Sequence, residues 1–195
     1  MENKTNRLLP ADYHGKKYGL TFRLVTEDDA DFIVEARTNP AVGQFLHYTS
    51  NSIVEQKKWI KEYKKRESDG SDYYFIFFKD NYPVGLNRIY NINNSVFTGG
   101  SWAMLPQLSM EIILAVPLIT REIAFETLGF DFENDHDGVH VDNKHVMRFN
   151  KLFGCKEGPI YKTNEGDFIP LTLTKEDFEA NKPRLVSMLN LDSNE

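Results

Sequence analysis

The stretch from Phe97 to Gly129 constrains the fold more than any other part of the chain. It predicts a strand over 97–104, a tight connector over 105–109 and a long apolar helix over 110–128. The first-turn N–H groups of such a helix lack intrahelical partners, and the helix dipole adds partial positive charge there, which favours anionic ligands. However, no glycine occurs between Gly100 and Gly129 to let backbone approach a phosphate closely. Whether this junction holds a ligand is the main functional question.

The flanking segments predict a mixed sheet with helices on its faces, because three antiparallel strands in succession precede the long helix. We expect Pro117 to kink the long helix and Pro183 to break the last one. Residues 1–18 are expected to be an irregular lead-in, and residues 19–195 a single domain. The other predicted strands lie at 19–25, 72–79 and 84–92, and residues 155–161 are expected to form a hairpin with 168–173. The other predicted helices lie at 26–39, 52–66, 144–153 and 175–191, of which the last is polar. Residues 131–145 form a polar stretch.

Composition excludes several classes of protein. The chain has 195 residues, 41% of them hydrophobic, which fits one globular domain. A net charge of −6 argues against a general nucleic-acid binder. No run of eighteen apolar residues and no signal-peptide core is present, so we expect a cytoplasmic protein without membrane contact. The single cysteine, Cys155, excludes an internal disulfide.

Two adjacent glycines, Gly99 and Gly100, lie inside the strand that precedes the long helix. Glycines inside a strand indicate a bulge or a close approach to the backbone. This pair is a first indication of a ligand groove beside that strand.

Four short segments carry a resemblance to a known family. They are Phe22-Arg23-Leu24-Val25 before an acidic helix start, Pro83-Val84-Gly85, Gly100-Ser101-Trp102, and Asn-x-x-Val-x-x-Phe-x-x-x-Phe-Gly over 143–154. Because of the order and spacing of these segments, the chain over residues 19–173 resembles the GNAT superfamily of acyl-CoA-dependent N-acyltransferases. Within it, the resemblance is to the branch with ribosomal-protein and amino-sugar acetyltransferases.

The resemblance implies a single-domain α+β fold and acetyl-CoA as co-substrate, with no metal. It implies a mostly antiparallel sheet of six to seven strands, splayed between the fourth and fifth, where the pantetheine arm pairs with the free edge of the fourth. A backbone N–H of the fourth strand, within Trp102, Ala103 and Met104, would stabilise the oxyanion. The remaining cofactor contacts would be pyrophosphate on Gln107, Leu108, Ser109 and Met110, and pantetheine beside Asn143 and Phe149.

Catalytic and acceptor residues are also suggested. His140 is a candidate general base because its ordinary pKa suits proton transfer near neutral pH, against the alternative of a surface histidine. Ser101 is a candidate proton relay, although strand serines are mostly structural. Tyr48, Arg88 and Tyr90 border the acceptor cleft in this family, and cross-strand packing explains them equally well. The acidic and histidine residues between 135 and 145 suggest zinc ligands, but a polar strand end beside a cleft explains them better.

Two departures from the family pattern bear on activity. The phosphate loop, usually Gln/Arg-x-x-Gly-x-Gly/Ala, is here Pro106–Glu111 without glycine, and Glu111 adds negative charge where phosphate should bind. Asn150 occupies the position where many members have the tyrosine that protonates the leaving thiolate.

The sequence therefore predicts an N-acetyltransferase that moves acetyl from acetyl-CoA directly to a primary amine of a small molecule, with an amino-sugar nucleotide as first choice. One alternative is a protein or ribosomal-protein N-terminal acetyltransferase. Another is a GNAT-like protein that binds acyl-CoA, or has a structural role, without turnover. The expected partners are the amine acceptor and, as an option, a second copy of the chain, with no nucleic acid.

Overall fold

A computed structural model describes residues 8–40, 49–164 and 166–189. Its strands are β1 (His14–Lys17), β2 (Leu20–Leu24), β3 (Tyr73–Lys79), β4 (Tyr82–Asn93), β5 (Val96–Met104), β6 (Phe132–His140), β7 (Lys156–Glu157), β8 (Tyr161–Thr163) and β9 (Gly166–Thr174). Its α-helices are α1 (Ala30–Thr38), α2 (Ile53–Ser68), α3 (Met110–Glu122), α4 (Lys144–Leu152) and α5 (Lys175–Ser187). A π-helical turn, Ile123–Thr127, extends α3.

The nine strands of the described chain form one sheet in the order β1-β2-β3-β4-β5-β6-β9-β7, with β8 also paired to β9. All neighbouring strands are antiparallel except β5 and β6, which are parallel. The β5–β6 register covers Val96↔Phe132 and Phe97↔Glu133, after which the two strands separate. The predicted mixed sheet, splayed between the strands that flank the long helix, is therefore confirmed, although the sheet has more strands than the six or seven expected.

The predicted irregular lead-in contains strand β1, so that part of the prediction is wrong. Lys17 pairs with Leu20, which leaves a two-residue turn of Tyr18 and Gly19 with φ of 52° and 70°. Positive φ at both central residues is the type I′ arrangement that matches the twist of a hairpin. Leu9, earlier in the lead-in, is buried in the core.

Alternate residues of β3 pack into two different hydrophobic layers, because successive strand side chains point to opposite faces. Tyr73, Phe75 and Phe77 join the cluster that includes the residues of α3 and α5. Tyr74 and Ile76 join the cluster formed with α1 and α2. The sheet is thus covered by helices on both faces, and the site described below lies where β5 and β6 part between them.

Both helical prolines lie inside continuous helices. Pro117 is in the middle of α3, and the predicted break of the last helix at Pro183 is wrong, because α5 runs from Lys175 to Ser187 through it. A helical proline removes one backbone hydrogen bond. In α5, buried Phe178 and Leu185 on either side of Pro183 hold the helix against the core, which offsets that loss.

Candidate functional site

The separation of β5 from β6 opens a cleft with a volume of about 220 Å³. Its walls come from β5, β6, α3 and α4. The residues that line it include Gly100, Trp102, Arg121, Asp135, Asn143 and Phe149. Beyond Phe97, the edge of β5 that faces the cleft is not paired with β6 in the described chain. Such an edge offers backbone N–H and C=O groups to an extended ligand.

A second pocket, of about 470 Å³, lies between the α1–α2 side of the molecule and strands β4 and β5. It is lined by side chains of both charges and by aromatic rings, among them Arg37, Trp59, Arg88, Tyr90, Ser101 and Asp137. Asp137 also lines the cleft, so the two cavities meet at this residue. We call the first cavity the β5–β6 cleft and the second the acceptor-side pocket.

The strand between the two cavities is bulged at Ser101. Leu86 pairs with Ala103 and Arg88 with Gly100, so Ser101 and Trp102 together face Asn87, and Ser101 has a φ of 50°. The predicted bulge at Gly99 and Gly100 therefore lies one residue later. Those glycines are required for another reason: a Cβ on Gly99 would lie 2.5 Å from Glu133 Oε1, and one on Gly100 would lie 3.0 Å from the Tyr90 hydroxyl.

The connector between β5 and α3 has a feature that the sequence did not reveal. Gln107 adopts a φ of 65°, the left-handed conformation that glycine normally provides in a tight loop. Ser109 is the extended N-cap of α3, and its carbonyl accepts a hydrogen bond from Ile113 N–H at 3.1 Å. The first turn of α3 therefore has the free N–H groups of an ordinary helix start, and Glu111 adds negative charge there.

The residues predicted to hold pantetheine lie along α4. Asn143 is the N-cap of this helix, and its Oδ1 accepts a hydrogen bond from Val146 N–H at 3.3 Å. Phe149 stacks on Trp102 of β5, with ring centroids 4.6 Å apart. Within the described chain, the buried Trp102 indole N–H has no hydrogen-bond partner. These three residues line the β5–β6 cleft, which is compatible with the cofactor role predicted for them.

A buried polar cluster forms the inner wall of the cleft. Arg121 donates to both carboxylate oxygens of Glu133, at 2.7 and 3.0 Å, and to Asn150 Oδ1 at 2.8 Å. Asn150 Nδ2 in turn donates to the Val146 carbonyl, so both ends of the amide are engaged. Burial raises the pKa of the nearby Cys155 thiol to about 12, which keeps it protonated. Sequence reasoning missed this cluster, although an arginine inside an apolar helix was a visible signal.

His140 lies at the end of β6 and lines the cleft. Its Nδ1 accepts a hydrogen bond from Asp142 N–H at 3.2 Å, and its ring packs edge-on against Phe168. Because Nδ1 accepts, the neutral ring carries its proton on Nε2. Nε2 faces the backbone of Gly166, where an added Cβ would lie 2.5 Å away.

Two further carboxylates of β6, Asp135 and Asp137, face the cavities; the sequence suggested them only as possible zinc ligands or as part of a polar strand end. Asp135 Oδ1 accepts a hydrogen bond from Gly138 N–H at 3.1 Å. Burial, and then the negative charges of Glu133 and Asp137, raise the pKa of Asp135 to about 6, against the effect of that hydrogen bond. A carboxyl group with such a pKa exchanges protons near neutral pH.

The predicted acceptor-side residues are only partly described. Tyr48 lies outside the described residues, whereas Arg88 and Tyr90 both line the acceptor-side pocket. Arg88 forms a two-pronged ion pair with buried Asp72 and lies over the Trp59 and Tyr90 rings, at 5.2 and 4.6 Å from their centroids. The aromatic and cationic wall that results includes Trp59, which the sequence suggested only as a helix-packing residue.

In the described parts of the chain, no group of three or more His, Cys, Asp or Glu side chains is arranged to hold a metal ion. Across the same residues, no helix combines the length and apolarity needed to cross a membrane.

Comparison with solved structures gives strong matches. One is an apo structure described as FdhC, a nucleotide-linked sugar GNAT, with 28% identity and a TM-score of 0.77 over 92% of this chain and 99% of that one. Another is the ribosomal-protein-S5-alanine acetyltransferase from Vibrio fischeri, with 14% identity and a TM-score of 0.71 over 86% and 99%. A third is RimJ from Mycobacterium smegmatis in complex with CoA-disulfide, with 16% identity and a TM-score of 0.73 over 87% and 88%.

No protein-family model matches the sequence, and no curated protein matches it. The structural matches nevertheless agree with one another, and the resemblance to GNAT acetyltransferases seen in the sequence is confirmed. The chain has the GNAT fold, which supports acetyl transfer in general.

Proposed function

We propose that the protein transfers acetyl from acetyl-CoA to a primary amine of a nucleotide-linked amino sugar, by direct attack within a ternary complex. The observation that carries this proposal is the meeting of two cavities at Asp137, one on each side of the bulged strand β5. Such a pair lets a thioester and an amine approach each other without a covalent enzyme intermediate.

The β5–β6 cleft suits acetyl-CoA. The unpaired edge of β5 matches the amide-rich pantetheine arm, and the Trp102–Phe149 stack supplies an apolar wall for it. The pyrophosphate would bind at the N-terminus of α3, next to the connector in which Gln107 has a positive φ. Backbone N–H groups at Trp102, Ala103 and Met104 remain the proposed oxyanion donors.

The acceptor-side pocket suits a small polar molecule with a planar part. Its volume of about 470 Å³ lies in the range of small-molecule sites. Trp59 and Tyr90 offer aromatic faces to a sugar or a base, and Arg37 brings positive charge for phosphate. The nucleotide-linked sugar GNAT at 28% identity supports the same class of acceptor.

The chemistry of the step requires a neutral amine and a stabilised leaving thiolate. The sequence predicts His140 as the general base and Ser101 as a proton relay. His140 lines the β5–β6 cleft, and Ser101 lines the acceptor-side pocket. Asn150 cannot supply a proton to the thiolate as the family's tyrosine does. Its Oδ1 instead accepts a hydrogen bond from the Arg121 guanidinium at the inner wall of the cleft.

Calorimetry with acetyl-CoA, followed by thiol-release assays with nucleotide-linked amino sugars, tests the proposal. Acetyl-CoA at a hundredfold over its dissociation constant should stabilise the fold by about 2.7 kcal/mol. Turnover with an amino-sugar nucleotide, and much slower turnover with the unlinked amino sugar or an N-terminal peptide, is the expected result. Binding without turnover of any amine would favour a non-catalytic acyl-CoA-binding protein, and absence of binding would overturn the enzyme proposal.

A further inference from the structure

Strand β6 is bulged where it passes the cleft. Asp135 pairs with Leu171 and Val139 with Ile169, so residues 136–138 of β6 face the single residue Pro170. The Pro170 carbonyl accepts a hydrogen bond from Gly158 N–H on the opposite side of β9, so the backbone polar groups of Pro170 point away from β6. Gly138 completes the bulge with a φ of 66°, and a Cβ there would lie 2.7 Å from the Ile169 carbonyl oxygen. Bulges of this kind redirect side chains beside functional sites.

The two carboxylates that precede this bulge on β6, Glu133 and Asp135, have different partners. Glu133 accepts two hydrogen bonds from the buried Arg121 guanidinium, so both of its oxygens are occupied by a cation. Asp135 lies on the cleft wall, where it accepts a hydrogen bond from the neutral N–H of Gly138. A carboxylate held by an amide group, in place of a cation, is better suited to take up a proton.

Asp135 is also within electrostatic reach of the acceptor-side pocket. Tyr90 lines that pocket, and its ring lies against Gly100 at the boundary with the cleft. Burial, and then the negative charges of Asp135 and Asp137, raise the pKa of the Tyr90 phenol to about 12. An ammonium group that enters beside Tyr90 and Asp137 is therefore drawn toward Asp135.

His140 is less well placed for the same task. Its Nδ1 lone pair already accepts the Asp142 N–H, and its Nε2 faces the backbone of Gly166. To accept a proton from an amine, the ring would have to give up the first contact.

We infer that Asp135 is the general base of the proposed acetyl transfer, the group that takes the proton from the acceptor's ammonium. This inference rests on the proposed function. The Asp135 carboxylate takes one proton from R–NH₃⁺, and the lone pair of the resulting R–NH₂ forms the C–N bond with the acetyl carbonyl carbon. Collapse of the tetrahedral adduct breaks the C–S bond; the second amine proton goes to the thiolate, and Asp135 releases its proton to solvent. The products are the acetamide, CoA thiol and one proton.

The pH dependence of this step is set by the groups that face Asp135 from every neighbouring element. These groups are Glu133 and Asp137 on β6, Tyr90 on β4, Arg121 on α3, Cys155 after α4 and Tyr161 on β8. Arg121 lowers the pKa of Asp135, whereas Glu133 and Asp137 raise it. Wild-type kcat/KM should therefore rise with pH through an apparent pKa near 6.

The test compares Asp135→Asn, Asp135→Glu and wild type in pH profiles of kcat/KM, with calorimetry for acetyl-CoA. Asp31→Asn, an exposed carboxylate of α1 outside both cavities, is the control. We expect Asp135→Asn to lower kcat/KM by about 10²–10⁴ and to lose the ascending limb, with unchanged affinity for acetyl-CoA. Asp135→Glu should retain a limb, and Asp31→Asn should behave as wild type.

The outcomes separate this inference from the proposed function. If wild type turns over and Asp135→Asn keeps both its rate and its pH limb, the base assignment is wrong and the function stands. If His140→Gln removes the limb instead, the assignment also fails. If wild type acetylates no amine although it binds acetyl-CoA, the proposed function falls, and the base assignment with it.

Discussion

Arg121 on α3 and Glu133 on β6 form a two-pronged ion pair behind the β5–β6 cleft, with N–O distances of 2.7 and 3.0 Å. Both side chains are buried. The pair joins the helix that follows the cleft to the strand that forms its far wall, at the point where β5 and β6 begin to separate.

Arg121→Ala should destabilise the fold by about 3–5 kcal/mol, because it leaves the Glu133 charge buried without its partner. Urea denaturation checks this value. Lys65→Ala is the control, because it breaks an ion pair with Glu62 that is exposed to solvent and contributes little to stability. A loss at Arg121 no larger than that at Lys65 would contradict the structural role of the pair.

Gly138→Ala should cost more stability than Gly129→Ala. Both glycines have a positive φ, 66° and 76°, so both substitutions strain the backbone by about 1–2 kcal/mol. At Gly138 the added Cβ also meets the Ile169 carbonyl oxygen at 2.7 Å, whereas at Gly129 nothing lies within 4 Å among the described residues. The difference in urea midpoint isolates the contact across the bulge, and equal midpoints would show that β6 and β9 move apart freely there.

Asp135→Asn should stabilise the fold above pH 6. The folded-state pKa of Asp135 is raised from 3.8 to about 6, so the folded protein binds the proton more tightly than the unfolded chain. Stability is therefore lost as pH rises from about 4 to about 6, by about 3 kcal/mol on this shift. Asp135→Asn has no carboxyl group to ionise, so the variant does not lose this stability as pH rises.

Unfolding free energies measured at a series of pH values check this. The variant should be more stable than wild type at pH 7.5, and the gap should close toward pH 4. A gap that is independent of pH would show that Asp135 is ionised alike in the folded and unfolded states.

Asn143→Ala should weaken acetyl-CoA binding beyond the effect of losing a helix cap. Asn143 Oδ1 caps α4 at Val146 N–H, and removing a cap costs about 0.5–2 kcal/mol of stability. Asn143→Asp keeps a capping oxygen but has no amide N–H₂ donor for the pantetheine. Calorimetry should therefore show weaker binding in both variants, with the stability loss confined to alanine.

The Thr174 hydroxyl caps α5 by accepting a hydrogen bond from Asp177 N–H at 3.0 Å. Thr174→Ala removes this cap and is the matched control for stability. It should lower stability without changing acetyl-CoA affinity. If Asn143→Asp binds as wild type does, Asn143 acts on α4 rather than on the cofactor.

Much of the fold could be predicted from the sequence because it depends on local signals. Ser52 at an N-cap, acidic residues after Thr26 and alternating apolar residues define where helices and strands begin. Strand β1 was missed because His14–Lys17 has no apolar alternation; its pairing depends on the turn at Tyr18 and Gly19. The continuity of α5 through Pro183 depends on tertiary packing, which local propensity does not report.

The candidate site was less predictable, because it depends on residues brought together from distant segments. Arg121 and Glu133 are separated by twelve positions and meet through the parallel pairing of β5 and β6. Asp135 looked like one of several acids in a polar stretch, and its burial beside Glu133 gives it a distinct pKa. Gln107 has a positive φ, a backbone angle that residue identity does not disclose.

The positions of Trp59 and Trp102 provide an optical means of following the two ligands separately. They are the two tryptophans of the chain, and strand β5 lies between the cavities that they line. Trp59 lines the acceptor-side pocket, proposed for the amine, and Trp102 lines the β5–β6 cleft, proposed for the thioester. Replacing either ring with phenylalanine leaves one fluorophore, whose emission reports occupancy of a single cavity, so stopped-flow mixing can establish the order in which the substrates arrive.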